Sequence, residues 1–166
     1  MSVALFLVAG CYSNVRVKPY AESTKPAYVM ACGDIKYSGN KRYLPSTVSA
    51  CEAAQENQYM IEFLHEQDYT GTKAEYEVAL SMLPSYILGT PTGMDKVLAY
   101  SILKISRDGK ELATYRAACV KESYRSIFSG AVDNSEGRVQ CLDALKVNIE
   151  NQMLRDEDFW EKHAVR

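Results

Sequence analysis

Residues 96–120 read KVLAYSILKISRDGKELATYRAACV. Two strand-like runs, Lys96 to Ser106 and Lys110 to Val120, are joined through Asp108-Gly109, a two-residue connection suited to a type I′ turn. This hairpin commits the middle of the chain to an antiparallel sheet, and the flanking segments are read by how they join it.

Immediately upstream, Glu75 to Met82 alternates: Tyr76, Val78, Leu80 and Met82 point toward helices, and Glu75, Glu77 and Ser81 toward water. The strand continues through Pro84, which favours an edge position or a bulge. Gly89-Thr90-Pro91-Thr92-Gly93 is a turn without the lysine or spacing of a phosphate loop. Further upstream, Ser49-Ala50-Cys51-Glu52 has capping-box spacing. Ala50, Ala53, Ala54, Met60, Ile61 and Leu64 follow at helical intervals, predicting a helix that ends near His65–Gln67. Ala27 to Cys32 reads as a buried strand, and residues 33–45 as a loop. Val15-Arg16-Val17-Lys18 alternates as an edge strand would.

Downstream, residues 121–132 read as an irregular connection. Asp133 and Glu136 repeat the capping spacing, and Val139, Leu142, Leu145, Ile149 and Met153 form the apolar stripe of a last helix. The tail from Arg155 to Arg166 is charged apart from Phe159-Trp160, which can fold back onto the domain. The expected order is β-α-β-β-β-α. It predicts an α/β (α+β-like) two-layer sandwich, with a mixed sheet of about four strands and two helices on one face.

With 166 residues, 47% of them hydrophobic, the chain fits one globular domain that buries its own core. A net charge of −2 lacks the electrostatic footprint of a nucleic-acid binder. The first residues have a different character. Val3-Ala4-Leu5-Phe6-Leu7-Val8-Ala9 is an apolar run of signal-peptide length, too short to span a bilayer. The competing reading makes residues 3–9 a buried first strand of a cytosolic protein; the polar, Pro-containing stretch right after Cys11 favours the signal.

Val8-Ala9-Gly10-Cys11 resembles the lipobox of bacterial lipoproteins. The resemblance implies that residues 1–10 are a signal peptide, that Cys11 carries a thioether-linked diacylglyceryl group, and that palmitate-class acyl chains anchor the protein. Two or three chains hold stably, since each buried methylene contributes about 0.8 kcal/mol. The positive charge that usually opens such signals is absent before Val3, which predicts an in-frame upstream start codon followed by Lys or Arg. Tyr12 is not the Asp that retains Gram-negative lipoproteins in the inner membrane, so the implied address is the outer membrane, facing the periplasm. On this reading residues 11–26 are the lipidated N-terminus and tether, 27–155 a single domain, and 156–166 a charged tail. The element order is similar to that of several small Gram-negative envelope lipoproteins with an α/β domain.

Setting Cys11 apart leaves Cys32, Cys51, Cys119 and Cys141, an even number in an oxidising compartment, for which three pairings exist. The expected elements favour Cys32 with Cys51 and Cys119 with Cys141, each joining a strand end to the next helix. No pair has CxxC spacing, so neither a zinc nor a redox site is indicated.

His65, at the predicted helix end, reads as a surface or capping residue. His163 among Asp156, Glu157, Asp158 and Glu161 reads as part of a solvated tail rather than a metal site. No G-x-S-x-G signature is present. No enzyme, metal, cofactor or small-molecule substrate is indicated. Of the twelve tyrosines, Tyr28, Tyr59, Tyr76, Tyr100 and Tyr115 fall inside expected elements. Tyr37, Tyr43, Tyr69, Tyr86 and Tyr124 lie near loops, where tyrosines serve as interface anchors. The functional expectation is a non-catalytic envelope lipoprotein that binds another envelope component; the alternative is a periplasmic inhibitor or immunity lipoprotein acting on a toxin or hydrolase.

Overall fold

The structure is a computed structural model and describes residues 13–51, 59–71, 93–125 and 134–163. The expected strand Glu75–Met82, the turn residues Gly89–Thr92, Tyr86 and the lipobox through Cys11 lie outside them. Six strands are described: β1 (Ser13–Lys18), β2 (Ala31–Ser38), β3 (Val48–Ala50), β4 (Tyr59–Gly71), β5 (Gly93–Arg107) and β6 (Lys110–Arg125). They form one sheet in the order β1-β6-β5-β4-β2-β3. β2 runs parallel to both β3 and β4, and the other neighbours are antiparallel. Two helices follow, α1 (Asn134–Arg155) and α2 (Glu157–His163). The mixed sheet with helix on one face is as expected; the strand number and element order are not.

The hairpin forms where the sequence places it, with φ of 52° at Asp108 and 74° at Gly109, as a type I′ turn requires. Its arms are longer than expected. Residues 121–125, read as irregular, continue β6 because they are paired on both sides, with β1 through Ser13↔Ser123 and with β5 through Gly93↔Arg125.

The first predicted helix is corrected. Ser49 lies in β3 and residues 59–71 form β4, so Met60, Ile61 and Leu64 are strand residues; Glu52, Ala53 and Ala54 lie outside the described residues. The run Tyr59-Met60-Ile61-Glu62-Phe63-Leu64 satisfies both periods, since both of its faces carry apolar residues. Tertiary pairing decides the outcome, because β4 is hydrogen-bonded to β2 on one side and β5 on the other. Tyr59, Ile61 and Phe63 are buried, while Met60 and Glu62 are exposed.

The first predicted strand shifts for a related reason. β2 begins at Ala31, four residues late, and runs through the expected loop to Ser38. Tyr28 and Val29 remain outside it at 44% and 52% exposure. Gly33 sets the fit of β2 against β4, because a Cβ there would overlap the Tyr59 carbonyl. The expected tether also enters the sheet, as edge strand β1 on β6.

Of the expected apolar stripe of α1, Leu142, Leu145, Ile149 and Met153 are buried against β5 and β6, and Val139 is half-buried. Its polar side chains fasten the segment after β1. Asn148 Nδ2 donates to the Pro19 carbonyl (2.8 Å), Asn151 Nδ2 to that of Ala21 (3.1 Å), and Arg155 to that of Tyr20 (3.3 Å). On the other side, Ser46 donates through both its N–H and hydroxyl to Glu150 Oε1 (2.6 and 2.7 Å).

The Phe159-Trp160 pair does fold back. Trp160 is 2% exposed and packs edge-on to Tyr59. Its Nε1–H donates to the Tyr115 hydroxyl (2.9 Å), which donates to Asp156 Oδ2 (3.0 Å). Burial raises the Tyr115 phenol far above its ordinary range; the Trp160 hydrogen bond opposes this and the Asp156 carboxylate adds to it. Arg107 closes this end of the sheet, stacking over the Tyr59 ring at 4.2 Å and donating to the His163 carbonyl (2.9 Å).

Candidate functional site

The alternation of the central strands sorts their side chains. One set, including Ile61, Phe63, Val97, Leu103 and Ala117, faces α1 and is buried. The other set faces away and mixes apolar with charged residues, making it more apolar than a solvated sheet face would be. Met60, Leu98 and Tyr100 are 40%, 41% and 38% exposed. Leu64, Ile102 and Val120 are half-buried.

Register brings these residues together. Leu64 lies opposite Ile102, Leu98 opposite Val120, and Tyr100 opposite Ala118. The apolar band is bordered by charge. Glu62 lies between Lys36 on β2 and Lys104 on β5, and Arg116 lies opposite Ile102. Lys104 also pairs with Glu111 at 3.4 Å. The carboxyl of Glu111 is held below its usual range, first by the Thr114 hydroxyl and then by Lys104. The Tyr100 hydroxyl donates to Glu66, which raises the phenol's pKa and fixes the ring at the edge of the band. Between β2, β4 and β5 a shallow depression of about 400 Å³ is lined by Lys36, Ser38, Glu62, Leu64, Ile102 and Lys104.

This arrangement suits contact with a protein surface. It offers aliphatic and aromatic area ringed by both signs of charge, the anatomy of an interface with an apolar core and polar rim. The sulfurs of Cys32 and Cys51, and of Cys119 and Cys141, form disulfides, with Cα separations of 5.0 and 5.6 Å. The pairing is the expected one, and Cys119–Cys141 joins the second hairpin strand to the last helix as read, while the positions within the strands differ. Cys32 is near the start of β2 and Cys51 follows β3, while Cys119 is in mid-β6 and meets the second turn of α1. Among the described residues no group of three His, Cys, Asp or Glu is placed to hold a metal ion, and no helix is long and apolar enough to cross a membrane.

His65 is not at a helix end, and His163 ends α2 instead of lying in a free tail. His65 is in β4, its ring packed edge-on to Tyr43 (5.6 Å between centroids) beneath the Gly39-Asn40 turn. The Asn40 N–H donates to Nε2 at 3.3 Å, so the proton of the neutral ring sits on Nδ1, a buried atom without a hydrogen-bond partner. Burial lowers its pKa. Gly39, at φ 107°, is needed there because a Cβ would overlap the ring. His163 stacks on Phe159 at 4.1 Å, its Nδ1 is 2.8 Å from the Phe159 carbonyl oxygen, and two of the four neighbouring acids are engaged elsewhere: Asp156 with Tyr115, Glu157 with Lys25 and Tyr28.

Of the tyrosines, Tyr59 and Tyr115 are core residues as read. Tyr43 is buried rather than in an open loop, and Tyr28 and Tyr100 are more exposed than their expected elements implied. The sheet face expected to be open, on Glu75, Glu77 and Ser81, lies outside the described residues. The face seen is built from β4, β5 and β6, and sequence reading missed Leu98, Tyr100 and Ile102 as its centre. The available signal was that both alternating sets of residues 97–105 are apolar, more than one buried face needs.

Fold and surface define a disulfide-stapled mixed α/β domain with one apolar sheet face turned outward. No family model matches the chain, and no curated protein matches it. Among solved structures it is similar to the rare lipoprotein B from Shewanella oneidensis, at 8% identity and a TM-score of 0.47, over 80% of this chain and 97% of that one. It is also similar to a PelC dodecamer subunit from Paraburkholderia phytofirmans, at 9% identity and a TM-score of 0.29, over 84% and 98% of the two chains. Both likenesses are slight, and no residue role is transferred from either.

Proposed function

We propose that this chain is a non-catalytic envelope lipoprotein, anchored by lipid on Cys11 at the periplasmic face of the outer membrane, and that its open sheet face binds another envelope protein. The observation that carries the reading is the band of Leu98, Tyr100 and Ile102 on that face, exposed or half-buried and framed by Lys36, Glu62, Lys104 and Arg116. The lipobox supplies the address. The two disulfides support it, since such bonds persist in oxidising compartments.

The test is photocrosslinking in intact cells with a benzophenone side chain at position 100. The expected result is one discrete adduct with an envelope protein, absent when the benzophenone is at Lys146 on α1, and lost with Leu98→Asp in the same chain. Equal adducts from both positions, or none from position 100, would overturn the binding face. An adduct with a secreted toxin or hydrolase would instead assign the inhibitor role to the same face.

A further inference from the structure

A second apolar surface lies on the opposite side of the molecule from the open face's centre, at the β1 edge. β1, the Tyr20–Glu22 segment and α1 enclose a groove of about 750 Å³. Its apolar wall is Val15, Val17, Ala21, Ala144 and Val147, and Val147 is 51% exposed. The polar groups nearest it are already engaged, because the Asn148 and Asn151 amides are spent on the Pro19 and Ala21 carbonyls. Four charged residues, Arg16, Lys18, Glu22 and Asp143, also line it. The accessible surface of the groove is nonetheless mainly apolar, which suits a hydrocarbon chain better than a polar ligand.

Position in the chain indicates which hydrocarbon. Cys11 precedes the first residue of β1 by two positions, so it lies within about 13 Å of Val15 along an extended backbone. The groove then continues beside β1, following α1 from Asp143 to Asn151 for about 12 Å.

We infer that this groove takes an acyl chain of the lipid on Cys11 when the protein is away from a bilayer, an inference that rests on the lipoprotein reading above. The groove covers part of the hydrocarbon during passage through water, and the chain leaves it for the membrane when a bilayer is within reach. The bond to Cys11 makes the occupant intramolecular, so even a weak groove fills at the high effective concentration a short link provides.

The experiment uses the full-length protein purified from membranes, freed of detergent, with a benzophenone side chain at position 147. After illumination and proteolysis, mass spectrometry should find the peptide bearing position 147 joined to the acylated Cys11 peptide. Phosphatidylethanolamine vesicles added before illumination should lower that product at least fivefold. The same side chain at Lys104, on the open face, should give none. An acylated Cys11 with no joined product, or with equal product from both positions, overturns the groove while leaving the lipoprotein reading intact. An unmodified Cys11 overturns both. A product joining position 147 to another protein overturns the inference by giving the groove a different occupant.

Discussion

Replacing Tyr115 by Phe tests how the C-terminal segment is held, because one hydroxyl serves two partners. It accepts from Trp160 Nε1 at 2.9 Å and donates to Asp156 at 3.0 Å. Asp156 is exposed and regains water when the hydroxyl is removed, so that half of the loss is worth about 1 kcal/mol. Trp160 is 2% exposed, and its N–H is left unpaired at a further cost of about 2 kcal/mol. The sum, about 3 kcal/mol, lowers the melting temperature of a domain this size by roughly 6–12 °C.

Urea denaturation followed by circular dichroism measures it, with Tyr115→Phe made in wild type and in Trp160→Phe. In the second background no indole N–H is left to strand, so Tyr115→Phe should cost about 1 kcal/mol and the cycle should show about 2 kcal/mol of coupling. A cost below about 0.5 kcal/mol in wild type, or equal costs in both backgrounds, refutes the relay. The same phenol gives an alkaline signature. Its pKa is raised in the folded state, so above pH 10 the unfolded chain loses a proton that the folded one keeps, and stability falls as pH rises. Tyr115→Phe should flatten that fall.

Three further outcomes follow from features described above. Removing the Cys119–Cys141 bond, which spans 22 residues, should cost about 3 kcal/mol on the chain-entropy account, read as a lower urea midpoint in the double alanine variant. His65, with its pKa lowered by burial, stays neutral while the unfolded chain takes a proton; stability is full above pH 6.5 and drains as pH falls below it. His65→Gln should shrink the melting-temperature difference between pH 7.5 and pH 5, and an unchanged difference would refute the assignment. Gly33→Ala forces β2 away from the Tyr59 carbonyl and should cost about 3 kcal/mol or more, whereas Gly109→Ala, with open space around it, should cost only the strain of its positive φ.

The hairpin and α1 were legible because their signals are local: a turn dipeptide that tolerates positive φ, and an apolar stripe at one spacing. β4 was not legible, since Met60 and Leu64 make its outer face apolar and so imitate a helical repeat. What distinguishes the two readings is the partner strand on each side, and no window around residue 60 contains that information. β2 failed similarly, because Tyr28 and Val29 look like core until Glu157, far along the chain, accepts from the Tyr28 hydroxyl at 2.7 Å. The outward apolar face shares this difficulty. Leu98 and Leu103 are equivalent in the sequence, and only the side on which α1 settles makes one exposed and the other buried.

The placement of β1 also has a mechanical consequence. Ser13 pairs with Ser123 and Lys18 with Ala118, so the hairpin tip at Asp108-Gly109 lies beyond the Lys18 end of β1, about 45 Å along β6 from Ser123. With lipid on Cys11, a load on the tip and the anchor at the other end would pull in opposite directions along the strand axis. The six β1–β6 pairs would then bear tension together, in shear, instead of opening singly as in peeling. The helix amides gripping Pro19 and Ala21 brace the far end of β1 against sliding. With lipid on Cys11, only Tyr12 would separate the anchor from this ladder, so the domain would stand on a membrane as a strut rather than swing from it on a cord.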